Sequence, residues 1–300
     1  MAGVAAGAGT RTLISSVQLN RRRGRIMYRV VLTAVVVVFT LAFIGPLYFL
    51  FTDGLKSTQE AIATPPTLYP HQVYPGNYLA AWNRLDVARM LWNTVYYAFG
   101  ALAFQLVFDV AAAYSLSKLR PFLGNAIFFA MLATLMIPVT VLVVPQYVTI
   151  ASLPILHLNL IGTPEAIWLP SVANAFNIFL LKRFFDSIPT DYIDAAQIDG
   201  ASRLTILLRI VLPISRPIIG VVSIFGLVAV WKDFLWPLLV EYGYTPTRET
   251  LNVGIWQAYQ GTPQNLLIAA SAMAAIPTIV FFLIFQRNIM AGLTAGGIRG

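Results

Sequence analysis

The chain has 300 residues, of which 58% are hydrophobic and only 11% are charged. Soluble domains contain about 25% charged residues, so the composition excludes an ordinary soluble protein. It also excludes a disordered chain, because disorder requires low hydrophobicity and high charge. The chain lacks cysteine, which removes disulfides, thiolate metal sites and cysteine nucleophiles. An integral membrane protein is therefore predicted, and its formal net charge of +8 is expected to lie mainly in cytoplasmic loops.

Residues 1–29 are predicted to form a flexible, basic cytoplasmic tail. An Ala-, Gly- and Ser-rich stretch is followed by the arginines Arg21, Arg22, Arg23, Arg25 and Arg29. A cleaved signal peptide is the alternative interpretation of this stretch and the apolar run after it. The apolar run exceeds the roughly 7–15 residues of the apolar core of a signal peptide, and Gly45-Pro46 does not fit a cleavage site. The first apolar segment is therefore expected to remain in the membrane.

Six apolar segments approach or reach the length of roughly 20 residues that a helix needs to cross a bilayer. They are about Val30–Phe51, Thr94–Leu116, Ala126–Val148, Ala166–Leu181, Ile218–Val240 and Leu266–Phe285. A helix satisfies its own backbone in lipid, whereas an isolated strand does not. The fourth segment is short and contains Pro170, Asn174 and Asn177. The predicted fold class is an all-α polytopic membrane protein with six transmembrane helices within residues 30–286.

The distribution of basic residues predicts the orientation of these spans. With the N-terminus in the cytoplasm, most of the 20 Lys and Arg residues fall on inside segments. The basic residues on outside segments are Lys56, Arg84, Arg89 and Arg248. This asymmetry places both termini in the cytoplasm. It also explains the basic charge without a nucleic-acid partner.

The long inside loop, about residues 182–217, contains a predicted amphipathic helix. Thr190 can cap this helix, Asp191 suits the positive end of its dipole, and Gly200 can end it in a left-handed conformation. A second helical stretch is predicted at residues 204–211.

The predicted helix at residues 190–199 has features of a protein-docking element. Its small residues Ala195 and Ala196, beside Ile193 and Ile198, allow another surface to approach the backbone. Attachment to lipid headgroups is the alternative. The helix carries three Asp and no basic residue, and an anionic inner leaflet repels such a helix. A protein partner is therefore favoured.

The loop also carries a spaced motif. It reads Asp194-Ala195-Ala196, three residues, Gly200, nine residues, Ile210, one residue and Leu212-Pro213. This pattern resembles the EAA loop of binding-protein-dependent ABC importers, with Asp194 in place of the usual Glu. Residues 231–239 and 285–300 are similar to the fifth span and tail of maltose-type sugar permeases. On these motifs the chain is identified as a permease subunit of the maltose-type carbohydrate uptake family, resembling the second, six-span maltose permease.

This resemblance implies a type I ABC importer permease fold with a cytoplasmic coupling helix. Asp194, Ala195, Ala196 and Gly200 would belong to the helix that docks on the cytoplasmic ATPase. The residues that would fix the return to the fifth span are Ile210, Leu212 and Pro213. The C-terminal tail, residues 287–300, would reach the ATPases as a second contact.

The resemblance also implies an assembly. Its members would be a second permease forming a heterodimer with this chain, two cytoplasmic ATPases and an extracytoplasmic sugar-binding protein near the last outside loop. The assembly would import a carbohydrate across a bacterial or archaeal cytoplasmic membrane. No cofactor is expected on this chain. Since none of its four lysines follows a glycine, it lacks a Walker A motif, and ATP and Mg would bind the partner ATPases.

Polar and aromatic residues within the spans are candidates for the substrate path. They are Asp109, Asn174, Asn177, Trp231 and Asp233. Ionisable residues in a membrane suggest function, but Lys232 and Asp233 could form a structural pair and the asparagines could join helices. The two histidines, His71 and His157, lie in different loops and do not suggest a metal site.

Two other classes of function remain open at this stage. An ion-coupled secondary transporter would work without an ATPase, but such proteins usually contain internal repeats, and no clear repeat is present. A membrane scaffold or receptor would not need polar groups within its spans. The acidic cytoplasmic helix is unexplained by the secondary-transporter hypothesis.

Overall fold

The computed structural model describes residues 22–241, 243 and 247–295, with side chains described as far as residue 286. Most of the predicted N-terminal tail and the last five residues of the predicted C-terminal tail lie outside the described residues. Within the described part, residues 22–29 already belong to the first helix, and the last helix continues to Ala295. Each adjoining helix therefore continues beyond its apolar segment into the residues assigned to a tail, and the division of the chain at residues 29 and 287 stays a prediction.

Every regular element in the described residues is helical. The α-helices are α1 (Arg22–Asp53), α2 (Thr58–Ala61), α3 (Gly76–Arg84), α4 (Val87–Tyr114), α5 (Gly124–Thr134), α6 (Val139–Ala151), α7 (Glu165–Trp168), α8 (Ala175–Asp186), α9 (Asp191–Ile198), α10 (Arg203–Ile206), α11 (Leu212–Ile214), α12 (Arg216–Lys232), α13 (Leu235–Glu241), α14 (Leu251–Gln257) and α15 (Gln264–Ala295). Two π-helical segments (Ser115–Leu119 and Leu207–Val211) and two 3-10 turns (Leu169–Ser171 and Ala258–Gln260) connect some of them.

Among the described residues, three helices are long and apolar enough to cross a membrane by themselves, and two bent helix pairs raise the number to as many as five. The single helices cover Arg23–Asp53, Val87–Leu119 and Gln264–Gln286. Helices α5 and α6 meet at 109°, where Pro138 cannot donate the hydrogen bond that would continue α5. The segment of α10 and α11 meets α12 at 83°.

The predicted fourth span, Ala166–Leu181, is not a continuous helix. It is divided among α7, a 3-10 turn and α8. Pro170 lies in the 3-10 turn, and the Asn174 side chain caps the new start at α8 by accepting a hydrogen bond from the backbone N–H of Asn177 at 3.1 Å. The prediction of one helix here was wrong, because the 3-10 turn interrupts the helix and Asn174 caps a new one.

The predicted fifth span, Ile218–Val240, is also divided. Helix α12 ends at Lys232, Asp233 is extended, and α13 begins at Leu235. The Asp233 carboxylate accepts a hydrogen bond of 3.4 Å from the backbone N–H of Trp236, which supports the first turn of α13. The break places Asp233 at a helix start rather than inside a helix.

Helix α1 leaves most of its surface uncovered by the rest of the chain. Its most apolar 18-residue window contains no buried residue. It contacts α15, and the Tyr78 hydroxyl donates a 2.8 Å hydrogen bond to the carbonyl of Phe51 near its C-terminal end. A helix that is apolar all round needs lipid or protein to cover it.

Helix α4 lies at the centre of the bundle and packs against α8 and α12. One core cluster, here called the α9-side core, connects these helices to α9. Its buried members are Val110, Ala113, Tyr114, Ile178, Leu181, Phe185, Ile188, Ile193, Ile206, Leu207, Val211, Ile218, Val221 and Val222. Because protein cores are close-packed, α9 cannot shift without displacing the helices that share this core.

The close packing around Gly100 on α4 gives a first testable prediction. A Cβ atom at Gly100 would overlap Cε2 of Trp168, whose ring also contacts Phe104. We expect Gly100→Ala to lower the free energy of unfolding by about 1–3 kcal/mol, since the indole ring must move. Thermal unfolding of the detergent-purified chain, followed by circular dichroism, measures this change. Gly45→Ala on α1 is the matched control, because no atom lies within 4 Å of its Cβ. Equal stability of the two variants would contradict the prediction.

Candidate functional site

Helix α9 is ended by Gly200 in the way that the sequence predicts. Gly200 has a φ of +78°, which a side chain would resist. Its N–H donates to the carbonyl of Gln197 at 3.0 Å, and the N–H of Ala201 donates to that of Ala196 at 2.9 Å. These two bonds form a Schellman motif. The predicted side-chain cap by Thr190 is wrong, because Thr190 has helical backbone angles and its side chain makes no capping bond.

The side chains of α9 divide into an anchor and an exposed face. Ile193 is buried in the α9-side core. Asp194 and Ala195 are exposed, as are Tyr192 (57%) and Ile198 (87%). Large apolar side chains exposed next to a carboxylate form a surface suited to a protein partner.

Two hydrogen bonds join the segments before and after α9 to the C-terminal end of α4 and the π-helical segment that follows it. Before α9, the Lys118 ammonium donates a 2.8 Å hydrogen bond to the carbonyl of Ile188. After α9, the Tyr114 hydroxyl donates a 3.1 Å hydrogen bond to the carbonyl of Arg203. These bonds and the Ile193 anchor connect α9 firmly to the long helix α4.

The return segment contains the predicted residues Ile210, Leu212 and Pro213. Ile210 lies in the π-helical segment and is half-buried, as is Leu212, whereas Pro213 is exposed. Pro213 lacks the N–H that a regular helix would use, and such a loss favours a local change of helix type. The segment then bends sharply into α12.

Three of the five substrate-path candidates meet in one buried cluster. One oxygen of the Asp109 carboxylate accepts a 2.9 Å hydrogen bond from the backbone N–H of Asn174. Asn174 in turn caps α8 through the N–H of Asn177. Asp109 and Asn177 are 0% and 1% exposed. The cluster therefore holds the start of α8 against α4.

The Asp109 cluster gives a second prediction. Asp109→Asn keeps an oxygen that can accept from Asn174, so we expect near-normal transport and stability. Asp109→Leu leaves that buried N–H unsatisfied and should lower the free energy of unfolding by about 1–3 kcal/mol. Uptake assays and detergent unfolding of both variants measure these effects. Lost transport in Asp109→Asn with unchanged stability would indicate a direct role with substrate instead.

The other two candidates, Trp231 and Asp233, lie at the far end of α12 from α9. The carbonyl of Trp231 accepts a 3.2 Å hydrogen bond from the Asn252 side chain, and the residue is 6% exposed. Among the ion pairs in the described part of the chain, none joins Lys232 to Asp233. The Asp233 carboxylate instead accepts a hydrogen bond from the N–H of Trp236, so a structural role for Lys232 and Asp233 between helices or toward a partner permease stays a prediction.

A cavity of about 660 Å³, here called the α14 groove, opens between the end of α12, α14 and α15. Trp231 contributes to its wall. Its other lining residues include Lys232, Phe234, Asn252, Trp256, Tyr259 and Gln264. Trp256 is 51% exposed and Tyr259 is 65% exposed. The volume falls within the range of about 300–1,000 Å³ that is common for small-molecule pockets.

A buried lysine organises the segment between α1 and α3. The Lys56 side chain is 1% exposed, lies 2.6 Å from the Asp53 carboxylate and donates to the carbonyl of Thr67 at 2.6 Å. Asn77 and Asn265 both donate to the Lys56 carbonyl. This network joins the loop after α1 to the start of α15.

Glu60 organises the exposed part of the same loop. Its partial burial raises the pKa of the carboxyl. Hydrogen bonds from the backbone and ring of His71 and from the Thr67 hydroxyl outweigh this effect, and the pKa lies below its ordinary value. His71 therefore fixes a loop, and His157 lies in a separate turn with a φ of +50°.

Comparison with known proteins identifies the family. The family described as "Binding-protein-dependent transport system inner membrane component" matches residues 106–292, which include α9 and the α14 groove. The chain belongs to this family. It is therefore an inner membrane permease component of a transport system and not an enzyme.

Individual relatives support this assignment. The permease is 32% identical to the sulfoquinovosyl glycerol transport system permease protein SmoH of Agrobacterium fabrum, over 85% of this chain and 88% of the relative. It is 27% identical to the arabinooligosaccharides transport system permease protein AraQ of Bacillus subtilis, over 91% and 97%. A chain of a bacterial ABC transporter for import of the acidic polysaccharide alginate has a similar fold, with a TM-score of 0.77 at 21% identity, covering 89% and 98%.

Some residues that line the α14 groove of the permease were not predicted from the sequence. The last outside loop, residues 241–265, contains the aromatic residues Trp256 and Tyr259, and both line the groove. Asn252 and Gln264 follow no pattern that would single them out. They join the groove only because α14 folds back against α12 and α15.

Proposed function

We propose that the permease is the transmembrane subunit of an ATP-driven carbohydrate importer. It forms half of the translocation path and couples closure of the ATPases to the switch between inward- and outward-facing states. The names of its relatives support a carbohydrate or a related polyol phosphate as the substrate. They include an arabinooligosaccharides permease and the sn-glycerol-3-phosphate permease UgpE of Escherichia coli, which is 29% identical over 83% of this chain and 89% of the relative.

The observation that carries this proposal is the exposed and anchored helix α9. We assign the coupling role to Asp194, Ala195, Ala196 and Gly200, whose helix docks on an ATPase. Ile193 and the α9-side core would transmit the movement of α9 to α4, α8 and α12. Ile210, Leu212 and Pro213 would direct the return of the chain into α12.

In this proposal, partner proteins supply the free energy for switching between the inward- and outward-facing states. Shifting a two-state equilibrium from 1:99 to 99:1 requires about 5.5 kcal/mol of differential binding. ATP and Mg on two partner ATPases, together with a sugar-loaded binding protein outside, would supply it. Family membership favours this mechanism over an ion-coupled transporter that works alone.

The exposed surface of α1 supports pairing with a second permease. Its apolar window is uncovered by the described part of this chain, so lipid and the partner permease would cover it. We propose a heterodimer in which this chain contributes six spans, with the bent and divided helices completing the three long ones. Both termini would be cytoplasmic, as the excess of basic residues on that side indicates.

The substrate-path residues fall into two groups in this proposal. Trp231 lines the α14 groove and Asp233 lies two residues after it in the chain, and we place both beside the path. Asp109, Asn174 and Asn177 would support the path by holding α8 against α4.

A gentle-detergent pull-down of the tagged permease from its own membranes tests the proposed function. Mass spectrometry should identify an ATPase and a second permease in the same complex. Sugar uptake by proteoliposomes that contain the complex and its binding protein should require ATP. Reproducible recovery of the permease alone, at near-native yield, would contradict the proposal and favour a self-contained transporter.

A further inference from the structure

We propose that the α14 groove binds acidic sugars, with the Lys232 ammonium contacting their anionic group. This inference rests on the proposed function, and it names the chemical class of the substrate. Lys232 is the charged residue among those that line the groove in the described part of the chain. It is exposed, and no carboxylate within 4.0 Å neutralises it among the described residues.

The described lining of the groove therefore carries one positive charge, that of Lys232. The nearest carboxylate along the chain, that of Asp233, is directed to the N–H of Trp236 at the start of α13. An ammonium in a pocket with apolar walls attracts anions more strongly than one on an open surface, because the surrounding dielectric constant is lower. The position of Lys232 at the end of α12 also suits the helix dipole, which explains a basic residue there but not its place in a cavity.

The remaining lining residues suit a sugar ring. Trp256 and Tyr259 line the groove and are both exposed, and aromatic faces pack against the apolar faces of pyranoses. The edge-to-face contact between Trp256 and Phe234, with ring centroids 6.0 Å apart, holds the indole in place. Asn252 and Gln264 supply amide groups that can bind hydroxyls. Together with Lys232, these groups match a ring that carries a carboxylate, sulfonate or phosphate.

The test uses the permease complex and its binding protein in proteoliposomes that contain ATP. Uptake is measured for matched pairs of labelled compounds: glucuronate and glucose, galacturonate and galactose, and glycerol 3-phosphate and glycerol. We expect an acidic member to be transported in preference to its neutral counterpart. Lys232→Met should reduce that uptake about 10- to 100-fold, as expected for loss of a charge-assisted hydrogen bond, while Lys232→Arg keeps most of it.

Matched variants separate charge from folding. Tyr259→Glu places a carboxylate in the groove, and it should reduce acidic-sugar uptake at least tenfold relative to the similar-sized Tyr259→Gln. Arg248→Met removes an exposed positive charge that does not line the groove, so it should leave the preference for acidic members unchanged. Co-purification of the partner subunits shows that each variant assembles.

The outcomes distinguish this inference from the proposed function. ATP-dependent uptake of neutral sugars only, or unchanged acidic-sugar uptake in Lys232→Met and Tyr259→Glu, overturns the acidic-sugar inference and leaves the importer function intact. Absence of an ATPase from the purified complex overturns the importer function itself.

Discussion

Replacing Gly200 with valine is expected to abolish transport while the permease remains in the membrane. Gly200 ends α9 with a φ of +78°, and a β-branched residue strongly resists this conformation. The two Schellman hydrogen bonds depend on that conformation. Their loss should let α9 run on or fray, which would misplace the surface formed by Tyr192 and Ile198. We expect ATP-dependent uptake to fall at least about 100-fold, because a misplaced helix no longer moves with the ATPase.

The controls for this experiment use the same position. Asn tolerates left-handed backbone angles, so Gly200→Asn should retain most of the uptake. No atom lies within 4 Å of a Cβ at Gly200, so a steric clash does not explain a difference between the two variants. Membrane fractionation should recover both variants in equal amounts. Normal uptake by Gly200→Val would contradict the docking role of α9.

Replacing Ile198 with glutamate is expected to uncouple the permease from its ATPase. Ile198 is 87% exposed at the end of α9, so its replacement should leave the fold of the chain unchanged. Replacing a central apolar side chain of an interface typically costs about 2 kcal/mol or more, which is about a 30-fold reduction in affinity. The new carboxylate also adds to the three Asp of α9 and the flanking turn. Recovery of the ATPase with the tagged permease and sugar-stimulated ATP hydrolysis both measure the effect.

A matched variant tests whether position or hydrophobicity causes the effect. Leu68 is 69% exposed on the loop between α2 and α3, far along the chain from α9. Leu68→Glu introduces the same charge at an exposed apolar residue and should leave ATPase recovery unchanged. Equally reduced recovery in both variants would show that α9 has no special role.

The features of α9 show how far local sequence signals reach. The glycine at its end predicts the left-handed residue correctly, because φ is decided largely by the residue itself. The threonine at its start did not act as the predicted cap, since Thr190 has helical backbone angles rather than the extended angles typical of a capping residue. The burial of Ile193 follows from the amphipathic pattern, but its neighbours on α4 and α12 are distant in sequence.

The predicted fourth span shows the opposite case. Pro170, Asn174 and Asn177 are visible in the sequence, but an apolar average over the segment still favours one helix. The break is stabilised by Asp109, which lies 65 residues away and accepts from the Asn174 N–H. A contact of this kind cannot be inferred from hydropathy.

The sequence by itself determined that the permease is a helical membrane protein, because lipid allows only internally hydrogen-bonded backbones and the charged residues are few. Its spaced loop motif also indicated the family and the helix α9. Only the tertiary structure separated the substrate-path candidates into a buried cluster at Asp109 and a groove near Trp231. It also placed Lys232 in that groove without an ion-pair partner among the described residues. These outcomes depend on contacts between helices far apart in the chain, which local propensity and hydropathy do not encode.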